Sequence, residues 1–326
     1  MVPQSRATRS AGAWRKKGAF SPPSSGTSRG GSVASRPSAR RAMYARAMQE
    51  LSVQTSFKVP LTEVSGLALQ RVAGREARLL AVGDEAFELA SAELRDATPG
   101  ELTRHDLRPL LERVGRKGGS QWEGVACDSV GRVLVLQESP GAVFVFDAQL
   151  GELLATVTLD AGESQAGLAW GADSRSRGEG LAVLESGHLL IVKEKNPPQL
   201  IEFGRAGDAP GAIKPGGEAR FDGGATLVAL ACWGLDAEGD GGPSDLSELA
   251  VGPDGAIYLL SDQERCIVRI AELSPGGGTV RIAGRWQLPR KLDKPEGLVI
   301  LSDFRPLVAV DDREGKKSLF LLDALR

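Results

Sequence analysis

The chain has 326 residues, 41% of them hydrophobic, and no apolar stretch approaching the roughly 20 residues that a membrane-spanning helix needs. Ten of the 40 bases and none of the 42 acids fall in residues 1–48, so the remainder carries about 12 more acids than bases. That acidic body argues against a nucleic-acid surface on it and favours cations as ligands.

Residues 1–50 are rich in Ser, Arg, Gly, Ala and Pro, as in Ser21-Pro22-Pro23-Ser24-Ser25-Gly26. Such a segment cannot bury enough apolar surface to offset the entropy of ordering, so a disordered tail is expected, with Ala39–Leu51 as a short helix at its end. It is basic and Ser-rich like a transit peptide but has no apolar secretory core. A cytoplasmic location is expected, with targeting through the tail as the alternative.

From residue 51 to 326 the texture is short apolar runs between turns, the pattern of an all-β chain. One unit recurs five times. It opens at Ser65-Gly66-Leu67-Ala68, Glu123-Gly124-Val125-Ala126, Glu179-Gly180-Leu181-Ala182, Ser247-Glu248-Leu249-Ala250 and Glu296-Gly297-Leu298-Val299. Each opening leads through a turn to a second apolar run, closed by Asp84, Glu138, Glu194, Asp262 and Asp311 in turn. Opening residue and closing acid are 15 apart in copies two to five and 19 apart in copy one, a fixed offset that marks a repeat architecture.

A third strand follows each hairpin, at Phe87–Ala90, Val143–Phe146, Leu200–Phe203, Ile267–Ile270 and Leu319–Leu322. A fourth is expected near Leu110–Val114, at Leu153–Leu159, at Leu227–Cys232 and at Ile282–Leu288. Copy five has none, and Ser56–Pro60 is the spare strand able to complete it. Four-stranded units closed by a strand lent across the ring predict a five-bladed β-propeller, with six blades as the alternative.

In such a blade the first strand lines the central channel and the second runs back beside it. The opening residue and the closing acid therefore share one channel mouth. Glu123 with Glu138, Glu179 with Glu194, and Glu296 with Asp311 are expected there in pairs. Ser65 with Asp84 and Ser247 with Asp262 complete the ring, and Asp245, Glu248 and Asp312 add charge nearby. So many carboxylates repel one another unless a cation relieves them. Ca²⁺, or Mg²⁺, binds through oxygens alone and needs neither His nor Cys. Only His105 and His188 exist, His188 falls in a hairpin turn, and Cys127, Cys232 and Cys266 lie in apolar runs without CxxC spacing. Zinc and a Ser-His-Asp triad are therefore poorly supplied. Lys193, Lys195 and Arg313 compete as ion-pair partners of the ring or, in another reading, as holders of an anionic ligand. The Gly after each opening Glu has a packing explanation of its own, letting inner strands approach the axis. Asp236–Gly242 alternates acids like a Ca²⁺ loop but lacks the terminal Glu and flanking helices of an EF-hand.

The Glu-Gly-Leu-Ala openings, the run Val192-Lys193-Glu194-Lys195-Asn196-Pro197-Pro198 and the run Ser244-Asp245-Leu246-Ser247-Glu248-Leu249-Ala250 resemble the SdiA-regulated (YjiK-like) β-propeller family, over roughly residues 57–326. The resemblance implies a five-bladed propeller with bound metal, calcium included, and no established reaction. The function expected is a monomeric, metal-binding propeller that takes a small molecule or a protein partner at its acidic mouth. A calcium-dependent hydrolase of esters, lactones or phosphoesters is the alternative, with the cation as Lewis acid and Lys193, Lys195 and Arg313 on an anionic substrate.

Overall fold

The computed structural model describes residues 49–72, 75–116, 119–162, 170, 177–235, 242–312 and 317–326. Among them the strands form five antiparallel meanders, each starting at one copy of the repeat. The first is β3 (Val64–Val72), β4 (Arg75–Gly83) and β5 (Glu88–Arg95), whose outer edge carries β6 (Thr98–Pro99) and β7 (Thr103–Asp106). The second is β8 (Trp122–Cys127), β9 (Val133–Gln137), β10 (Ala142–Phe146) and β11 (Leu153–Asp160). The third is β12 (Gly178–Val183), β13 (Leu189–Lys193), β14 (Gln199–Arg205) and β15 (Thr226–Leu235). The fourth is β16 (Glu248–Val251), β17 (Ile257–Ser261), β18 (Cys266–Ile270) and β20 (Ile282–Gln287), with β19 (Gly278–Val280) running parallel to β15. The fifth is β21 (Pro295–Ile300), β22 (Pro306–Val310) and β23 (Lys317–Leu322).

The inner strands touch in a closed order, β3 to β8 to β12 to β16 to β21 and back to β3. The fifth meander is completed from the start of the chain. Strand β2 (Val53–Lys58) pairs antiparallel with β23, Ser56 opposite Phe320 and Phe57 opposite Leu319. Closure thus uses the spare strand that the repeat required. It leaves no open seam in the ring, where unpaired N–H and C=O groups would invite association.

The hydrophobic core is split between neighbouring meanders. Five apolar clusters form, one at each junction. Both faces of each middle strand are therefore covered, which is why β9 and β10 read as unbroken apolar runs. Trp122 is one of the largest such anchors. It is fully buried between the first two meanders, with ring centroids 5.5 Å from Phe87 and 6.3 Å from Phe144 and Phe146.

Two expectations fail. Leu110–Val114 is not the fourth strand of the first meander; that place belongs to β7, and a short helix, α1 (Arg108–Glu112), follows. Leu107 and Leu111 stand four apart and are both buried, a helical spacing, and Pro109 stands at the helix start, where its missing N–H costs nothing. Gln49–Glu50, read as the end of a helix, is instead a strand, β1, parallel to β20. The remainder of the predicted tail lies outside the described residues.

Candidate metal centre

The repeat opening is a β-bulge. In four meanders the register shifts around the opening residue, so that Ser65, Glu123, Glu179 and Glu296 have no Cα partner across the ladder. Gly66, Gly124, Gly180 and Gly297 then resume pairing, with Val82, Leu136, Val192 and Ala309. A bulge re-aims one side chain without losing the strand. The closing acid is tied to the same end by its backbone. The N–H groups of Asp84, Glu138, Glu194 and Asp311 donate to the carbonyls of Glu63, Gln121, Arg177 and Lys294, each two residues before the opening. Glu63, Gln121 and Lys294 accordingly sit in the left-handed region, at φ 48°, 48° and 45°. In the fourth meander a side chain does this work, Asp262 N–H donating to Asp245 Oδ2 at 3.0 Å.

The ring acids feel one another. Burial and then the charges of Asp84, Glu138, Glu296 and Glu194 push Glu123 up to about 8. Burial, Asp311, Asp262 and Asp84 push Glu296 up to about 8, against the pull of Lys294. Glu179 lies well above the carboxylate range through burial and the charges of Glu123, Glu194, Glu138 and Glu296. Asp84 is raised to about 7 by burial, by a hydrogen bond and charge from Glu63, and by Asp311 and Glu85. Glu138 and Asp262 are also raised, mainly by burial, each with a contribution from Glu194. The eight acids expected at one mouth are thus linked to one another by charge.

The two serine openings are spoken for. Ser65 Oγ donates to the carbonyl of Trp122, and Ser247 Oγ donates to that of Pro295 at 2.8 Å, each stitching its meander to the next. Ion pairing claims part of the ring as well. Lys195 pairs with Glu194, and Lys294 with Asp311. Lys193 is fully buried, its ammonium bonded to the Lys195 carbonyl. Arg313 and the Asp236–Gly241 loop lie outside the described residues. Asp245 serves the turn after β17, accepting from Ser261 Oγ at 2.6 Å and from the Asp262 and Gln263 amides.

Glu248 is the residue whose role the spacing alone did not reveal. Its side chain is fully buried and reaches out of the fourth meander. Oε1 accepts from Leu249 N–H at 2.8 Å, and Oε2 accepts from Leu67 N–H of the first meander at 3.1 Å. A Cβ on Gly180, in the third meander, would stand 2.3 Å from Glu248 Oε1. The carboxyl therefore crosses the channel under the acid ring, and burial holds its pKa well above the usual range. The one sequence signal was its place, one residue after Ser247, where the other copies carry Gly.

As a cation site the ring offers carboxylate oxygen, the donor that Ca²⁺ and Mg²⁺ prefer. Asp84 Oδ1 and Asp311 Oδ1 are buried without a hydrogen-bond partner, two acceptors with capacity to spare. Among the described residues, however, no three His, Cys, Asp or Glu side chains converge closely enough to hold a metal ion. Donor chemistry fits a hard cation; the side chains, as placed, do not close on one point.

No protein-family model matches the chain, and neither does any curated protein. Solved structures do. A glutaminyl cyclase of Myxococcus xanthus is similar at TM-score 0.51 and 14% identity, over 84% of this chain and 96% of its own. A calcium-binding protein, regucalcin, of Agrobacterium tumefaciens is similar at TM-score 0.45 and 14% identity, over 84% and 94%. A PQQ-bound aldose sugar dehydrogenase of Streptomyces coelicolor is similar at TM-score 0.44 and 13% identity, over 84% and 98%. At these identities the likeness concerns the fold. The chain is an all-β propeller.

Proposed function

We propose that the acidic mouth binds a divalent cation, Ca²⁺ before Mg²⁺, and that the bound ion presents a coordination position to a small molecule or partner arriving from solvent. The observation that carries this is the bulged opening of the inner strands at the same end as the backbone-tied closing acids, where burial and then mutual charge push the carboxylates up. Carboxylates that raise one another's pKa hold protons in place of a missing positive charge, and a cation supplies that charge. Ca²⁺ suits a wide, part-buried ring because it accepts six to eight oxygens, waters included, in flexible geometry. Glu123, Glu179 and Glu296 would be the principal ligands, with Glu138, Glu194, Asp262, Asp311 and Asp84 nearby. Coordination there requires side-chain rotation or bridging water. Sequence resemblance to the SdiA-regulated propellers supports the same reading, through the Val192–Pro198 and Ser244–Ala250 runs.

Elemental analysis and calorimetric titration with Ca²⁺ test it. Replacing Glu123 and Glu179 together by Gln should weaken Ca²⁺ at least about tenfold, on the order of 1.4 kcal/mol. Unchanged affinity in that double variant, or no uptake of Ca²⁺ by the parent protein, removes the ring as a metal centre.

A further inference from the structure

The longest gap between repeat openings is occupied in part by Arg205–Phe221, at the end of the third meander away from the acid ring. Its path is irregular but well bonded. Glu185 N–H donates to Lys214 O at 2.7 Å and Gly216 N–H to Val183 O at 2.8 Å, with Leu184 bridged to Pro215. Farther on the segment reaches the second meander, where Ser129 N–H donates to Gly217 O at 2.9 Å and Arg132 donates to Ala219 O at 2.7 Å. Between these anchors Pro215 and Gly216 lie against the far end of the channel. That end is a cavity of about 90 Å³ walled by Leu67, Val125, Leu181, Leu249 and Leu298, one residue from each inner strand. The segment is a strap across the channel's far end.

Its first half is held by a clasp anchored on a buried carboxylate. His188 Nδ1 lies 2.7 Å from Glu202 Oε1, and Nε2 lies 3.2 Å from Asp208 Oδ2. Glu202 is fully buried on β14, Oε1 also accepts Gly211 N–H of the strap at 2.9 Å, and Oε2 has no hydrogen-bond partner. Asp208 Oδ2 accepts in addition the Arg205 N–H at 3.1 Å. The ring is seated against Gly204, where a Cβ would meet its Cδ2 and Nε2 at 2.9 Å. Among the described residues, the ionisable groups around it are Glu202 from β14, Asp208 and Arg205 from the strap and Arg220 against Gly187 at the strap's far end, with Glu185 in the same hairpin turn. Arg205 is turned to Asp222 at 3.2 Å.

Carboxylate oxygens only accept hydrogen bonds. An imidazole facing one from each nitrogen must donate twice, and only the protonated ring does so. From this geometry we infer that the strap is a proton-operated latch, closed by imidazolium His188 between Glu202 and Asp208. Loss of the proton leaves one donor for two acceptors. The contact to Asp208, the more exposed of the two at 42%, is then the one to go, and the Arg205–Ala212 half of the strap is freed from β14. The mouth's carboxylates play no part in this device, which stands or falls separately from cation binding.

Hydrogen exchange read by mass spectrometry tests it on the full chain, comparing parent and His188→Gln at each pH from about 5.5 to 8.5, the range in which imidazole changes charge. Comparison at equal pH cancels the intrinsic rate. In His188→Gln the amides of the Arg205–Ala212 half of the strap should exchange about tenfold faster than the parent at the acid end, while Val133–Gln137 stays unchanged; toward the alkaline end the parent should converge on the variant. Equal strap exchange in both proteins at every pH overturns the latch. If His188→Gln loosens the core as well, Asp208→Asn decides. This variant keeps the buried Glu202 pair, so faster exchange confined to the strap supports the latch, and parent-like exchange overturns it.

Discussion

Glu179 places a carboxylate in the mouth, while Gly180, the next residue, leaves room for the carboxyl of Glu248. A methyl on Gly180 would stand 2.3 Å from Glu248 Oε1 and 2.5 Å from the Leu249 amide nitrogen, and backbone has little room to give. Gly180→Ala should therefore destabilise the protein by about 1–3 kcal/mol, and Glu248→Ala in addition should recover part of that loss, measurable by urea unfolding. The ring acids make a second prediction at this scale. Glu123 and Glu296, raised from 4.5 to about 8, bind protons more tightly folded than unfolded. Stability of the cation-free protein should thus be greatest below about pH 4.5 as far as these groups decide it, and should fall as pH climbs through about 8. Melting temperatures in chelator that stay level or rise between pH 5 and 8 would contradict the placement of these acids. With Ca²⁺ present the trend should flatten, because the ion binds the deprotonated ring.

Among the elements, the bulge at the start of the inner strand explains why the repeat is readable at all. It must deliver one side chain to the mouth and then restore the ladder, so the position before a Gly is fixed relative to the acid closing the next strand. Where the opening is Ser the hydroxyl binds the neighbouring meander's backbone instead. Ser65→Ala and Ser247→Ala should each cost about 1 kcal/mol in denaturant unfolding, the worth of one buried neutral hydrogen bond. Trp122 carries far more. Its truncation to Ala opens a cavity among Phe87, Phe144 and Phe146 and should cost about 3–5 kcal/mol, with loss of near-ultraviolet circular dichroism from that cluster. The fourth-strand position of the first meander shows where strand reading fails. Leu107 and Leu111 belong to a helix turn, and three or four residues of apolar sequence do not separate the two periods.

For the molecule as a whole, the meanders and their closing strand were legible because a fixed offset between an opening residue and an acid survives changes in loop length. The common address of the ring acids followed from strand geometry alone. What was not legible depends on three-dimensional reach. Lys193 reads as a cation beside Glu194 but is buried and bonded to a backbone carbonyl. Glu248 reads as extra mouth charge but spans the channel to Leu67, 181 residues away. His188 reads as a turn residue because its partners Glu202 and Asp208 lie 14 and 20 residues on, beyond any local pattern. Ca²⁺ at about 100 times its dissociation constant should raise overall stability by about 2.7 kcal/mol, visible as a calcium-dependent rise in melting temperature.

The pairing of β2 with β23 also sets a timetable. A ribosome delivers β2 well before β23, so Val53–Lys58 must wait for all the intervening meanders before its partner at Lys317–Leu322 exists. Until then the apolar junction of the first and fifth meanders, which takes in Leu67, Leu79, Leu307 and Leu319, lacks the side chains that β23 supplies. Commitment to the native ring therefore waits on the last strand of the fifth meander, a long-range pairing of the kind that forms slowly.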